Sequence, residues 1–198
     1  MTEKFDSKQI NKKNIEDYLT ESKKISEYQL ELAEKILEIS KICIDVLNKG
    51  GKIYFCGNGG SASDSQHLAA ELVGRFEKNR LPIPGIALTT DTSVITSIAN
   101  DFGFEYIFSK QVEALCSEKD FLFVLSTSGK SKNIIEALKT AKKLNMKTFS
   151  LVGENDENVL EYSDNTIKIP TSKTGVIQQA HITIGQIICM NIEASIIK

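Results

Sequence analysis

Five short apolar runs, separated by segments of helical periodicity, constrain the fold of this chain more than any other sequence feature. The runs do not alternate strictly between apolar and polar residues, which indicates strands covered on both faces, as in a parallel sheet. They occupy residues 52–56, 85–88, 121–125, 148–152 and 165–169. The predicted helices between and after them occupy residues 61–76, 92–99, 105–116, 131–144 and 174–197. The sequence therefore predicts an α/β fold, a three-layer αβα sandwich with a central, mostly parallel five-stranded sheet.

The region before the first run has two helical parts of different character. Residues 26–49 carry apolar side chains at helical spacing and predict a long amphipathic helix that ends at the glycine pair 50–51. Residues 11–24 keep that spacing but are so charged that a helix there needs a partner surface, for example on another subunit. We therefore expect an N-terminal helical arm over residues 1–29 and a single domain over residues 30–198. The expected apolar stripe of the long helix comprises Leu30, Ala33, Leu37, Ile44 and Leu47, with Ile36 and Cys43 alongside.

The composition argues against several classes of protein. The 24 Lys and Arg residues are balanced by 26 Asp and Glu residues, and this net charge of −2 predicts no nucleic-acid partner. The longest apolar run, residues 121–125, is far shorter than the ~20 residues of a membrane span, and no apolar leader follows the start, so a cytoplasmic protein without a membrane partner is expected. No CxxC pair occurs, which predicts reduced, buried thiols at Cys43, Cys56, Cys116 and Cys189.

Two loops at predicted strand-to-helix junctions have the composition of a phosphate site. Ligands of open parallel sheets bind at the carboxyl ends of the strands, where both loops are expected. Residues 57–63 include three glycines that allow close backbone approach, and residues 126–131 include four hydroxyl side chains. Hydroxyls and unpaired helix amides together can cradle a phosphate, although ordinary turns and helix caps use the same residue types. Because neither loop matches a nucleotide-binding fingerprint, a sugar phosphate is the predicted ligand.

His67 and Glu71 form the one acid and imidazole pair with a suggestive spacing. Four residues apart on the predicted helix 61–76, they lie on one face and can share a metal ion or a proton. The ordinary alternative for such a pair is a surface hydrogen bond.

Several motifs together resemble the phosphoheptose isomerase branch of the sugar isomerase (SIS) domain family. They are residues 55–72, 90–93, 99–103, 126–131 and 177–181. The resemblance implies a homotetramer, with an active site between subunits. It also implies the isomerisation of sedoheptulose 7-phosphate to D-glycero-D-manno-heptose 7-phosphate, the first step of ADP-heptose biosynthesis for lipopolysaccharide or capsule.

The resemblance also implies roles for individual residues. The phosphate would be held by Ser61, Ser126, Ser128 and Ser131, with Thr127 in the same substrate-binding loop. The sugar would be lined by Asn58, Gly59, Gly60, Asn100, Asp101 and Gln178. One Zn²⁺ per subunit would be bound by His67, Glu71, Gln178 and Gln186.

Aldose–ketose interconversion removes a proton beside a carbonyl and returns it to the neighbouring carbon through an enediol, so it needs a base and an acid. Glu71 is the predicted catalytic base and also a predicted contact of the substrate. The chain departs from the family pattern at Gln186, where a histidine is usual, and at Gly175 and Val176, where an acidic residue and an arginine are usual. A glutamine amide offers an oxygen to a metal but cannot transfer a proton at neutral pH.

These departures keep two other functions open. One is a non-catalytic SIS-domain protein that binds the replication initiator, which would tolerate the loss of proton-transfer residues. The other is an isomerase of a different ketose phosphate. His181 lies on a different face of the last helix from both Gln178 and Gln186, and it is predicted to be a hydrogen-bonded histidine at a packing surface.

Overall fold

The structure, a computed structural model, describes residues 6–154 and 157–196 and has a five-stranded sheet at its centre. All neighbouring strands of this sheet are parallel, in the order β2-β1-β3-β4-β5. The strands are β1 (Ile53–Gly57), β2 (Gly85–Ala87), β3 (Phe121–Ser126), β4 (Lys147–Val152) and β5 (Asn165–Lys168). Each lies within a residue or two of its predicted apolar run, so the predicted α/β sheet is confirmed.

Helices cover both faces of the sheet. They are α1 (Lys12–Glu31), α2 (Ala33–Asn48), α3 (Gly60–Val73), α4 (Thr92–Asp101), α5 (Ser109–Leu115), α6 (Lys132–Lys143), α7 (Glu157–Leu160) and α8 (Thr174–Ala194). One apolar core joins the sheet to α2, α3, α8 and the second half of α1, and the other joins it to α5 and α6. The three-layer αβα arrangement is therefore confirmed.

The strands are apolar throughout because successive side chains enter different cores. On one face, Phe123 packs between Phe55 and Phe149, with ring centroids 5.3 and 4.8 Å away. On the other face, Tyr54 and Leu122 are buried against α5 and α6. Burial on both faces removes the alternation of polar and apolar residues that a half-exposed strand would show.

The N-terminal helices differ from the prediction in two ways. The prediction of a single long helix over residues 26–49 is wrong, because the helical structure is interrupted at Leu32, between α1 and α2. The expected apolar stripe is also off centre: Leu30 and Leu37 are 77% and 40% exposed. The buried face of α2 instead carries Ile36, Ile39, Cys43 and Val46.

The second half of α1 packs on α8 of the same chain. Ile25 is buried there, Ser22 Oγ donates to Gln179 Oε1 at 2.9 Å, and Gln29 Nε2 donates to the carbonyl of Ala180 at 3.0 Å. This half of α1 therefore finds its partner surface within the chain. The predicted boundary between arm and domain, at residue 29, lies inside α1, and the division of the chain there stays a prediction.

The remaining differences are at element ends. The predicted helix 105–116 begins as a 3₁₀ turn, Phe104–Tyr106, and only α5 is α-helical; the short α7 was not predicted. The closing helix ends at Ala194 rather than at residue 197, which lies outside the described residues. All four thiols are free; three are buried and Cys116 is partly buried, and burial raises the pKa of each, as expected for inert cysteines. No helix in the described ranges is long and apolar enough to cross a membrane.

His181 is a packing histidine of α8, as predicted, and the polar group near its ring is the backbone of Val152. The side chain is fully buried, and neither ring nitrogen has a hydrogen-bond partner in the described part of the chain. Burial lowers the pKa of His181 to about 4, although the nearby backbone of Val152 opposes the fall. The ring is therefore held neutral inside the protein, and protonation of this side chain favours the unfolded chain.

This burial predicts a pH-dependent stability. The unfolded chain takes up a proton at His181 near pH 6.5, and the folded chain only near pH 4, so stability is lost as the pH falls through this interval. The difference between these two pKa values corresponds to about 3 kcal/mol in the free energy of unfolding. His181→Leu should flatten the dependence of the free energy of unfolding on pH between 4 and 6.5, measured by urea denaturation. Ile184→Val, a buried control without a titratable group, should keep it; identical pH profiles for His181→Leu and the parent would contradict the assignment.

Candidate active site

The strand order places a crevice at the carboxyl ends of β1 and β3. The chain continues from β1 to β2 on one side, whereas β3 lies on the other, which is the switch point where open α/β sheets bind ligands. Gly57, the last residue of β1, pairs in register with Leu125 of β3. The glycine-rich loop before α3 and the hydroxyl-rich loop before α6 therefore leave the sheet side by side, as predicted.

The loop after β1 is closed from above by α8. Gly59 has φ +56°, a conformation that favours glycine. Gly60 begins α3, and a Cβ atom there would collide with the side-chain amide of Gln178. Ser61 follows and is buried in the first turn of α3. The amide of Gln178 therefore lies against the N-terminus of α3, close to the three predicted ligand residues Asn58, Gly59 and Gly60.

The loop after β3 gathers its hydroxyl groups at the N-terminus of α6. Ser126 is buried, and its Oγ accepts a hydrogen bond from the backbone of Gly129 at 3.2 Å. The Oγ atoms of Ser128 and Ser131 lie 3.5 Å apart, and Ser131 precedes α6 without a side-chain cap on that helix. Thr127 is half-buried between them. The first turn of α6 therefore presents hydroxyls and backbone amides together, which suits an anion.

A pair of side-chain amides joins the two loops. Asn58 Nδ2 donates to Asn133 Oδ1 at 2.9 Å, and Asn133 Nδ2 donates back to Asn58 Oδ1 at 2.8 Å. Asn133 is 2% exposed and was not singled out from the sequence. The available signal was an asparagine, a poor helix former, in the first turn after a candidate ligand loop.

His67, Glu71 and Gln186 come together where α3 crosses α8. His67 Nε2 lies 2.8 Å from Glu71 Oε1 and 3.3 Å from Gln186 Nε2. The helices meet closely here because Gly185 packs on Leu68: a Cβ atom at Gly185 would lie 2.5 Å from a Leu68 methyl group. Three of the four predicted zinc ligands are therefore neighbours.

Atoms of these three side chains converge on one point between α3 and α8. His67 Nε2 carries at most one hydrogen yet faces two partners, and the oxygen and nitrogen of a glutamine amide are assigned only by their surroundings. With the Gln186 oxygen turned inward, an imidazole nitrogen, a carboxylate oxygen and an amide oxygen converge. The first two are ordinary zinc ligands, whereas amide oxygens suit harder cations. In residues 6–154 and 157–196, no group of three His, Cys, Asp or Glu side chains could hold a metal, so this site depends on Gln186.

Gln178 is not among these three side chains. It lies two turns earlier on α8, about 12 Å along the axis from Gln186, and its amide contacts Gly60 instead. The structure therefore brings Gln178 to the glycine-rich loop, the place expected of a sugar contact, and not to His67.

The comparisons with known proteins agree with this fold and these loops. Residues 17–153 match the SIS domain. Phosphoheptose isomerase 1 from Campylobacter jejuni is 47% identical over 181 residues, which cover 91% of this chain and 97% of that protein. The chain belongs to the phosphoheptose isomerase family.

Solved structures of the family have the same fold. The phosphoheptose isomerase GmhA from Neisseria gonorrhoeae matches with a TM-score of 0.86 at 36% identity, and one from Francisella tularensis matches with 0.87 at 35%. Each alignment covers 92% of this chain and 98% of that chain. The predicted family and its α/β fold are confirmed.

Two residues expected in a phosphoheptose isomerase site stand apart from the rest. Asn100 and Asp101 are exposed at the end of α4, where Asn100 Nδ2 donates to Asp101 Oδ1 at 2.8 Å. No hydrogen bond within the described residues connects either of them to the two loops. Their role as sugar contacts stays a prediction.

Asp64, on α3, lies close to the candidate site but was not predicted from the sequence. It lies three residues before His67 on the same face, and its Oδ2 atom is buried without a hydrogen-bond partner in the described ranges. Burial raises the pKa of Asp64, while the nearby His67 opposes this rise. The signal was the spacing of Asp64, His67 and Glu71, which places all three on one face of a helix.

The amide pair between the loops predicts a measurable stability. Asn133→Ala removes both hydrogen bonds and leaves the half-buried Asn58 amide without its partner, which should lower the free energy of unfolding by about 1–3 kcal/mol. Urea denaturation measures this change. Asn158→Ala, in the exposed part of α7, is the matched control and should have little effect; equal losses in the two variants would contradict a specific role for the pair.

Proposed function

We propose that this chain is an aldose–ketose isomerase that converts sedoheptulose 7-phosphate into D-glycero-D-manno-heptose 7-phosphate. This is the first step of ADP-heptose biosynthesis for lipopolysaccharide or capsule. One observation carries the proposal: a chain of this family has both a candidate phosphate loop and a candidate base. The loop is lined by hydroxyl and amide groups, and the base is the carboxylate of Glu71. The cytoplasm is the expected location.

The two loops would bind the phosphate end of the substrate. The hydroxyls of Ser126, Ser128 and Ser131 and the first amides of α6 donate hydrogen bonds to phosphate oxygens without a buried counter-charge. Gln178, which lies against Gly60, would contact the sugar beside the first loop. These contacts fix the position of the reacting carbons, which contributes to the rate by orientation.

Glu71 would move the proton between the two carbons. Its carboxylate removes the proton beside the carbonyl, giving an enediol, and the carboxylic acid then returns the proton to the neighbouring carbon on the same face. One carboxylate can carry the proton between the two carbons. The reaction also moves a proton from the hydroxyl of one carbon to the carbonyl oxygen of the other, and the amide of Gln186 cannot perform this second transfer. Oε1 is the atom that contacts His67, which leaves Oε2 for the substrate.

A divalent metal ion, for which zinc is the expected choice, would be held by His67, Glu71 and Gln186. Gln178, which the family resemblance adds to this set, lies too far along α8 to join it and would contact the sugar instead. When bound, the metal ion would act as a Lewis acid that polarises the substrate's carbonyl oxygen. Gln186 supplies an oxygen where the family usually has an imidazole, which weakens the expected affinity for zinc.

We further propose a homo-oligomer, with the tetramer as the expected form. Ile10, just before α1, and Ile15 and Leu19, in its first half, support it. They are 75, 63 and 60% exposed and line an open apolar depression of about 770 Å³. Exposed apolar surface of this kind is typical of subunit contacts. Light scattering on the purified protein measures the mass of the particle.

The non-catalytic alternative, binding of the replication initiator, is not favoured. The relatives compared above are named as isomerases, and the candidate base Glu71 is present beside His67. The other alternative, an isomerase of a different ketose phosphate, is distinguished by measuring how well other ketose phosphates compete with sedoheptulose 7-phosphate for turnover.

The decisive variant is Glu71→Gln, which keeps the shape of the side chain and removes its basic oxygen. Turnover of sedoheptulose 7-phosphate should fall at least 1,000-fold, about 4 kcal/mol in the barrier, with folding unchanged by circular dichroism. Ser128→Ala is the matched control from the phosphate loop and should raise KM with a smaller effect on kcat. Full activity of Glu71→Gln, or an inactive parent protein with and without zinc, would refute the proposal.

The zinc site is tested by binding. Gln186→His replaces an amide oxygen with an imidazole and should strengthen zinc binding about tenfold or more, measured by competition with a fluorescent chelator. Thr183→His adds a histidine to the side of α8 that faces α1 and should leave the affinity unchanged. Equal affinities of the parent and Gln186→His would argue against a metal at this position.

A further inference from the structure

Arg80 and Glu193 form a buried ion pair outside the residues discussed so far. Their side chains are 5% and 3% exposed, and Arg80 Nε donates to Glu193 Oε1 at 3.0 Å. Arg80 lies in the segment between α3 and β2, and Glu193 lies in the last turn of α8. The pair therefore connects the two helices that carry His67, Glu71 and Gln186.

Glu193 holds the chain just after α3. Its carboxylate accepts hydrogen bonds from three consecutive backbone N–H groups, those of Phe76, Glu77 and Lys78, at 3.0, 2.9 and 2.8 Å. Burial opposes the ionisation of Glu193, but these donors and Arg80 hold its pKa below the usual range. The carboxylate is therefore a fixed anion with four donors around it.

Arg80 uses its other N–H groups to cap the end of α3. Its Nη2 donates to the carbonyl of Glu71 at 2.6 Å, and its Nη1 donates to the carbonyls of Leu72 and Gly74 at 2.8 and 3.2 Å. Carbonyls in the last turn of a helix have no partner within the helix, so these hydrogen bonds fix that turn. The backbone of the candidate base is thus held directly by Arg80.

The two helices are joined at two points, one beside the cluster of His67, Glu71 and Gln186 and the other beyond it. One is the close contact of Gly185 with Leu68, and the other is the pair Arg80 and Glu193. Gln186 and Glu193 are seven residues apart on α8 and so lie on nearly the same face, about 10 Å apart. A shift of α8 along α3 would therefore break the ion pair and separate Gln186 from His67.

We propose that Arg80 and Glu193 are positioning residues of the isomerase reaction, which together hold α3 and α8 in the register that brings Glu71 to His67 and Gln186. This inference rests on the proposed function for its kinetic consequence, but the arrangement of side chains is testable without turnover. If the pair were purely structural, removing one partner would lower the stability of the protein but leave kcat unchanged below the melting temperature.

Two conservative variants test the pair, Arg80→Lys and Glu193→Gln. Lysine keeps the charge but not the planar set of donors that reaches Glu193 and the α3 carbonyls at once; glutamine keeps the shape but not the charge. Well below the melting temperature, kcat for sedoheptulose 7-phosphate should fall at least tenfold in both, with KM within about threefold of the parent value. The two loops proposed to bind the phosphate lie at the other end of α3, away from the ion pair, so KM should change little.

Asp120→Asn is the matched control for lost stability. Asp120 is 3% exposed, and its carboxylate accepts hydrogen bonds from the backbone N–H groups of Lys52 and Ser117, both at 2.8 Å. It lies where β1 and β3 begin, at the opposite end of these strands from the two loops. The substitution should lower the melting temperature while keeping kcat. If kcat in Arg80→Lys and Glu193→Gln stays within twofold of the parent value, or if Asp120→Asn loses kcat to the same extent, the positioning role is refuted.

A readout independent of activity separates this inference from the proposed function. The chain has only two histidines, so NMR of protein labelled with ¹⁵N-histidine reports on His67, with His181→Leu assigning the signals. The His67 ring signals should shift in Arg80→Lys and Glu193→Gln and remain in place in Asp120→Asn. Unchanged His67 signals in both variants would overturn the inference even if the parent protein is active, and shifted signals would support it even if the parent shows no turnover.

Discussion

Burial of the parallel strands on both faces determines where this protein can place polar chemistry. Phenylalanine and aliphatic side chains fill both cores, so neither face of the sheet has room for a ligand. Polar groups can gather only where the strands end and on the outer sides of the covering helices. The hydroxyl and amide groups of the two loops occupy the first of these places, and His67, Glu71 and Gln186 occupy the second.

The two helices α3 and α8 connect these places. α3 begins at the glycine-rich loop under Gln178 and ends under Arg80, and α8 runs beside it from Gln178 to Glu193. Close contact at Gly185 leaves no room for them to separate in the middle. Gln178 at one end, the side chains of His67, Glu71 and Gln186 in the middle and the ion pair at the other end are therefore parts of one helix-to-helix interface.

The sequence predicted the features that depend on local pattern. The apolar runs became strands because buried strands need continuous apolar residues, and the loops fell at the sheet edge because parallel topology puts them there. The break at Leu32 was missed because apolar residues continue at helical spacing across it, so the pattern alone favoured one helix and the wrong face.

Partners far apart in the sequence were beyond such reasoning. Asn133 lies 75 residues from Asn58, and Glu193 lies 113 residues from Arg80, so neither pairing leaves a local signal except an isolated polar residue among apolar neighbours. The same limit applies to His181, whose place at a packing surface was predicted but whose complete burial depends on side chains from other elements.

The reciprocal amide pair of Asn58 and Asn133 has a consequence for ligand entry. Because each amide satisfies the other, the two strand-end loops keep their spacing before any anion arrives. In the proposed reaction, an incoming phosphate would then meet loops that are already in place, and little of its binding free energy would be lost in immobilising flexible chain. More of that free energy is left to restrain the sugar carbons at the other end of the molecule, where restraint accelerates a reaction.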